Sequence, residues 1–174
     1  DQKDKPYFFL LIHQQASRLT YLVHQLLEFR KVEAGFFKNQ FSYLNISELL
    51  LNLGEPFIPL SEQNKMEYEI NIAPGMMGLA DKDKIEKIIF NLLSNAFKHS
   101  EKNEQVIFSA GENEHKELEI TVVNSGAQLP AGKLDRLFEQ FYVVNPNTAT
   151  DTGKFGTGIG LAFTRQLVTM LNGR

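Results

Sequence analysis

The chain has 174 residues, of which 43% are hydrophobic and 22% charged, the balance of a globular protein and not of a disordered one. A formal net charge of −3 gives no general electrostatic pull toward nucleic acid. The absence of cysteine excludes disulfides, thiol catalysis and thiolate metal sites together. The longest apolar runs, such as Phe8 to Ile12, are far too short to span a bilayer, and no signal-peptide pattern opens the chain. The length is that of one domain, or of one domain with an appendage. A chain that opens on Asp1 is expected to be a segment of something longer.

Residues 5–33 predict one long helix. Phe9, Ile12, Ala16, Leu19, Val23 and Leu26 fall at alternating steps of three and four, the a/d seam of a coiled coil or helical bundle. Leu10, Leu11, Leu22, Leu27 and Phe29 widen the apolar face beyond a two-stranded stripe. Two covers fit this pattern: the helix's own domain, or a bundle partner that lies outside the chain or is a second copy of it. A helix this long is seldom covered by so small a domain, so the partner is the expected cover. Gly35 stands where a helix would end in a C′ glycine.

Beyond it the pattern alternates. Gln40 to Leu44 reads as a strand and Ile46 to Gln63 as a helix broken near Pro56 and Pro59. Glu67 to Ile72 reads as a strand, Ala73 to Gly75 as a turn and Gly78 to Ala80 as a short strand, with Asp81 a helix N-cap. Lys84 to Phe97 is the strongest helix of this region, with Ile85, Ile88, Ile89, Leu92, Leu93 and Ala96 on one face. Gln105 to Ala110 and Leu118 to Val123 are β runs joined by a polar turn. Pro130 to Phe138 predicts a short helix, Val143 to Lys154 a mobile polar loop, and Gly158 to Leu171 a final helix. Strands alternating with helices in this way predict an α/β two-layer sandwich.

Four segments carry candidate chemistry. Asn91, Asn95 and Lys98 recur at i, i+4 and i+7 and so share the polar face of the Lys84–Phe97 helix. An amide oxygen there suits Mg²⁺ that already carries phosphate oxygens, and a lysine one turn on meets phosphate as a point charge. The same pattern also fits a plain solvated helix face. Gly153 to Leu161 places Gly156, Gly158 and Gly160 just before a helix. Such a loop admits phosphate to the backbone amides and to the helix N-terminus; flexible turns use the same residues. No β run immediately precedes it, which argues against a dinucleotide-binding βαβ unit. In Val122 to Leu129 a strand ends at Asn124 and turns at Gly126, where a polar side chain is able to read the edge of a base. Leu137 to Tyr142 is an aromatic cluster.

In this order the segments resemble the catalytic ATP-binding domain of sensor histidine kinases, within the superfamily that includes gyrase, the mismatch-repair ATPases and a chaperone ATPase. Asp81 to Ser100 looks like the asparagine box, Val122 to Leu129 the first glycine box, Leu137 to Tyr142 the phenylalanine box and Gly153 to Leu161 the second glycine box. Ser17 to Gly35 looks like the second helix of the dimerisation and phosphotransfer hairpin. Its Leu26 to Glu33 stretch is similar to that of the hybrid sensor kinases common in Bacteroidetes.

The resemblance implies a histidine-kinase/gyrase-type fold, a mixed sheet with helices on one face, preceded by one long helix. Residues 1–35 would be the incomplete hairpin helix, and 36–174 the ATP-binding domain, with its C-terminal strands cut short. The implied cofactors are ATP and Mg²⁺, with Asn95 on the metal, Asn91 beside it and Lys98 on the phosphates. His99, Asn124, Gly126, Lys154, Gly156, Thr157, Gly158, Ile159, Gly160 and Leu161 would complete the nucleotide site, and residues 139–155 would form the lid. Hydrolytic members carry a glutamate as general base where this chain has Asn91, so the amide favours keeping the γ-phosphate for a histidine acceptor. Asn124 replaces the usual adenine-binding aspartate, Gln128 a glycine and Gln140 a common arginine.

A phosphoacceptor histidine of this family is followed by Glu or Asp. His13 and His24 are followed by Gln, His99 by Ser and His115 by Lys, so the acceptor is expected to precede this segment. The implied partners are a second copy, through the N-terminal helix, and a response-regulator receiver domain. No nucleic acid contact is expected, and the domain would lie on the cytoplasmic side of an inner-membrane sensor. The rival expectations are a catalytically degenerate nucleotide-binding or dimerisation module, and a hydrolytic ATPase, which Asn91 disfavours.

Overall fold

The structure, a computed structural model, describes residues 12, 13, 16, 19, 20, 23, 24, 26–32, 34, 35, 38–126, 132–143 and 158–174. The described residues among 12–32 are helical (α1). Gly35, at φ +72°, donates its N–H to the Val32 carbonyl at 3.0 Å and ends the helix as a C′ glycine. Ile12, Leu19, Val23, Leu26 and Leu27 are exposed, whereas Phe29 is buried in the core and Val32 packs against it. The two expected covers are thus divided along the helix: the described seam residues stay open, and the last turns belong to the domain.

Strand β1 (Ser42–Asn45) leads into α2 (Ile46–Gly54). The Asn45 side chain accepts the Glu48 N–H and donates to the Glu48 carboxylate, both at 3.1 Å, which makes a reciprocal cap. Pro56 and Pro59 do break the helix: a 3-10 turn, Glu55–Phe57, intervenes before α3 (Ile58–Asn64), with proline at the start of each piece. Strands β2 (Glu67–Ile72), β3 (Met77–Ala80), β4 (Gln105–Glu112) and β5 (Leu118–Asn124) follow, with α4 (Lys82–Lys98) between β3 and β4. Helix α5 (Gly160–Met170) ends the fold.

Among these strands, β1 pairs antiparallel with β3, while β2, β4 and β5 form a mixed sheet in that order, β2 parallel and β5 antiparallel to the central β4. In β4, Val106, Phe108 and Ala110 alternate inward. They meet Leu50 of α2, Ile89 and Leu93 of α4 and Leu167 of α5 in one core. Helix α4 lies across β4 and β5 and against α5. This is the expected two-layer α/β fold.

Two expected elements differ in detail. The helix expected over Pro130 to Phe138 is a 3-10 turn, Leu134–Arg136, with residues 130 and 131 outside the described ones. The final helix begins at Gly160 and not Gly158, because Gly158 takes φ +66°, a left-handed conformation that no helix continues through. The expected mobile loop, Val143 to Lys154, lies outside the described residues apart from Val143.

Candidate nucleotide-binding site

Helix α4 supplies one wall. Asp81 caps it by accepting the Lys84 N–H at 3.2 Å. Ile85, Ile88, Ile89, Leu93, Ala96 and Phe97 commit one side to the core, which leaves Asn91, Asn95 and Lys98 together on the half-exposed side. At its end, His99 donates its N–H to the Asn95 and Ala96 carbonyls.

Two glycines bring the other motifs to this face. At Gly126, past the end of β5, a Cβ would strike the His99 carbonyl, so only glycine lets the turn lie against the end of α4. Asn124 is at the same corner, its Nδ2 2.8 Å from where that Cβ would stand. At Gly158 a Cβ would come within 2.5 Å of the Phe141 carbonyl carbon and 2.6 Å of the Tyr142 nitrogen. The Phe141 N–H bonds the Gly158 carbonyl at 2.9 Å, so the two ends of the 142–158 segment are clamped together. Arg136 steadies this corner, over the Tyr142 ring at 4.4 Å and on Glu139 at 3.0 Å. Helix α5 then starts with no side-chain cap. A Cβ on its first residue, Gly160, would lie 3.9 Å from Asn91 Oδ1, so the helix N-terminus opens beside the amide face of α4. Such a terminus carries first-turn N–H donors and a partial positive charge, a ready anion site.

Of the site residues expected from sequence, the structure therefore gathers Asn91 with Gly160, and His99 with Asn124 and Gly126, at the two ends of a face that also carries Asn95 and Lys98. Ile159 is a core residue, which leaves it only its backbone for a ligand. Leu161 is half-buried. Lys154, Gly156, Thr157 and Gln128 lie outside the described residues.

Charged groups that sequence reasoning missed organise the start of α4. Lys84, almost fully buried, pairs with Asp81 and donates to the Lys38 carbonyl at 3.0 Å. Asp81 also accepts the Gln40 N–H at 2.7 Å. Burial pushes the Asp81 carboxyl up, but the Gln40 and Lys84 bonds outweigh it and hold it below its ordinary value. The available signal was a lysine three residues after an N-cap aspartate, on the face that Ile88 continues. Lys87 reaches Glu28 of α1 at 2.7 Å and Asp83 at 2.9 Å. Partial burial works to lower its pKa, and the two carboxylates more than offset this and raise it. Between α1, α4 and α5 lies a cavity of about 500 Å³, with His24, Phe90, Asn91 and Phe163 among its walls.

Comparison with known proteins gives the family. Residues 80–174 match the family described as histidine kinase-, DNA gyrase B- and HSP90-like ATPase, and the chain belongs to that family. It is 27% identical over 160 residues to the sensor protein VanSC of Enterococcus gallinarum, covering 92% of this chain and 43% of that protein. It is 28% identical over 165 residues to the sensor histidine kinase WalK of Bacillus subtilis, covering 94% and 26%. Full-length ShkA, solved with AMPPNP, superposes with a TM-score of 0.76 at 24% identity over 89% of this chain and 31% of that one. The histidine kinase AdeS of Acinetobacter baumannii gives 0.71 at 18% over 93% and 72%. The chain spans less than half the length of these curated relatives. It carries the catalytic ATP-binding domain of the sensor histidine kinases of two-component signalling.

Proposed function

We propose that the whole protein transfers the γ-phosphoryl group of Mg·ATP to a histidine outside residues 1–174, for relay to an aspartate of a response-regulator receiver domain. The observation that carries this is the meeting of the Asn91–Asn95–Lys98 face with the uncapped N-terminus of α5 at Gly160. Phosphates on the helix amides would lie beside the amide oxygen of Asn95 and within the field of Lys98. Asn124 and Gly126 would face the base at the far end of α4. Among the described residues no group of three His, Asp or Glu side chains could cage a metal. The donor set thus fits a magnesium ion held mainly by phosphate oxygens and water, with Asn95 completing its shell. The bound ion supplies charge neutralisation. The protein's own part is to orient the phosphates, and little else is required of it in phosphoryl transfer. Asn91 offers no carboxylate to activate water.

Residues 1–35 we assign to the second helix of a dimerisation and phosphotransfer hairpin, with residues 36–174 the ATP-binding domain and a second copy the cover for the open seam. The match to VanSC and WalK over more than nine-tenths of the chain supports this. A solved complex of the histidine kinase ThkA with the response regulator TrrA, TM-score 0.64 at 21% identity over 76% of this chain and 39% of that one, supports a receiver domain as partner. Among the described residues no helix is long and apolar enough to cross a membrane. We place the domain on the cytoplasmic side of a membrane sensor, where ATP is available.

The test is nucleotide binding and label transfer. Asn95→Ala in this chain is expected to weaken Mg·ATP binding by about tenfold or more, with circular dichroism unchanged because the side chain removes no core volume. In the complete protein, label from γ-labelled ATP should appear as acid-labile phosphohistidine and be lost in the same variant. Free phosphate without protein label would show a hydrolytic ATPase, and neither would show a module that has lost catalysis.

A further inference from the structure

We propose that the cavity between α1, α4 and α5 is a binding site for a small organic cation, an arylalkylamine by class, with its ring against Phe90 and its ammonium on Glu86. The site follows from the walls of the cavity and is independent of the nucleotide reading.

The cavity has a volume of about 500 Å³, within the ordinary range of small-molecule pockets. The core closes its back. Phe163 is 3% exposed and packs on Phe29 with ring centroids 6.4 Å apart. Leu53, which lines the cavity with it, packs against the same core. Most of the lining surface is carbon, so a ligand that fills the space needs an apolar body.

One face of α4 makes the polar wall. Asp83, Glu86, Lys87, Phe90 and Asn91 border the cavity and recur at i, i+3, i+4, i+7 and i+8, a single helical stripe. Along it the chemistry runs from carboxylates through an aromatic ring to an amide. Glu86 and Phe90 stand one turn apart and are neighbours on that stripe. Phe90 is 49% exposed, a large ring with open surface beside a carboxylate. A cation held between the two is attracted by the negative charge and by the ring face together.

The charge on the walls is unbalanced. Glu28 of α1 joins Asp83 and Glu86, so three carboxylates face one ammonium, Lys87, and leave an excess of two negative charges with histidine counted neutral. Lys87 is committed to Glu28 at 2.7 Å and Asp83 at 2.9 Å. Burial works against its charge, yet the two carboxylates hold its pKa above the ordinary value, so the walls favour a positive charge. Glu86 has a looser contact, 3.7 Å to an exposed Lys82, and is the carboxylate open to a ligand. A bare metal ion does not suit the site, since among the described residues no three His, Asp or Glu side chains are placed to hold one. A charge carried on a carbon body suits both the carboxylates and the apolar back.

The probe is phenethylamine, titrated into the isotopically labelled full chain and followed by amide NMR. Saturable shifts should centre on residues 86–91 and Phe163, with a Kd of about 1 mM, in keeping with so small a ligand. Phenethyl alcohol, which lacks the charge, and ethylamine, which lacks the ring, should each bind at least about fivefold more weakly. Glu86→Gln should weaken phenethylamine about two- to fivefold and leave phenethyl alcohol unchanged. Phe90→Ala should weaken phenethylamine about three- to tenfold. Neither position is buried, so both variants should keep the amide spectrum of the folded chain. Equal affinity for the amine and the alcohol, shifts centred elsewhere, or full amine binding in Glu86→Gln would overturn the site.

Discussion

Asp81 and Lys84, one turn apart at the start of α4, form an ion pair whose side chains are 3% and 2% exposed. The pair is a joint and not a decoration: through Lys38 and Gln40 it fixes the segment before β1 to the helix that carries the amide face. Removing one partner of such a pair strands the other charge in the interior, so Lys84→Met is expected to cost about 3–5 kcal/mol. Lys87→Met, at a pair in contact with water, should cost about 1 kcal/mol or less. Urea denaturation of the two variants checks the contrast. The Asp81 carboxyl titrates below its unfolded value, so its contribution is present above about pH 4 and is lost as pH falls through the lower folded value. Acid unfolding of Asp81→Asn should be correspondingly shallower in that window.

How much of this was legible in the sequence follows from what each residue is asked to do. The face of α4 was legible because its apolar and polar positions keep one helical period from Ile85 to Lys98. The motif order led to the family in part because a glycine stands where any larger residue would clash, as Gly126 against His99 shows. Phe29 was not legible. It extends the same apolar face as Leu26, and periodicity says which side of a helix is buried, not which body buries it. Lys84 was hidden for the opposite reason, since a lysine is read as solvated unless its buried partners are already known.

Gly126 and Gly158 should tolerate alanine poorly, for different reasons. At Gly126 the added methyl meets a backbone carbonyl, and the end of β5 has to move away from α4. At Gly158 the methyl meets the Phe141–Tyr142 peptide, and a φ of +66° is strained for any L side chain. Each substitution is expected to cost about 1–3 kcal/mol and to lower nucleotide affinity by disturbing opposite ends of the site. Gly111→Ala, whose nearest neighbour would be Ala73 Cβ at 3.9 Å, should leave affinity unchanged. Thermal melts and calorimetric binding on the three variants make the comparison.

Tyr68 predicts an alkaline transition. Its ring packs edge-on against Phe97 with centroids 5.0 Å apart, and its hydroxyl donates to the Gly54 carbonyl at 3.2 Å. Burial pushes its pKa up to about 12 from an ordinary 10. The folded state therefore keeps the proton where the unfolded chain has lost it. The stability this contributes is complete below pH 10 and is lost as pH rises toward 12. Tyr68→Phe should flatten that part of the profile, at a cost near neutral pH of about 0.5–1.5 kcal/mol for the missing hydrogen bond. An unchanged alkaline limb in the phenylalanine variant would remove Tyr68 from the account.

Asn91 offers a gain-of-function test. It stands beside the first residue of α5, where a carboxylate would be placed to take a proton from water attacking the γ-phosphate. A positioned general base is worth about 10²–10⁴ in rate. Asn91→Glu is therefore expected to release phosphate from ATP at least about tenfold faster than the unsubstituted chain, with binding retained. Colorimetric phosphate release measures it. No gain over the parent, with nucleotide still bound, would mean that residue 91 does not face the reacting phosphorus.

The open seam puts the proposed pairing with a second copy to the test. Ile12 and Leu19 are each 64% exposed, and Val23 is exposed on the same helix, a stripe that a stable soluble helix does not leave wet. Burying such side chains against a second copy contributes about 1.5–3 kcal/mol for each one fully covered, enough to weaken a dimer by about tenfold or more when one is lost. Leu19→Glu with Val23→Glu should therefore convert a self-associating chain to a monomer at micromolar concentration. The melt of the catalytic domain should not move, because its anchor on α1 is Phe29, further along the helix and buried against Phe163. Sedimentation equilibrium reads the first outcome and calorimetry the second. A chain monomeric before any substitution would show that the seam has another cover, and a domain melt that falls with the double variant would show that Leu19 and Val23 belong to the domain and not to a partner.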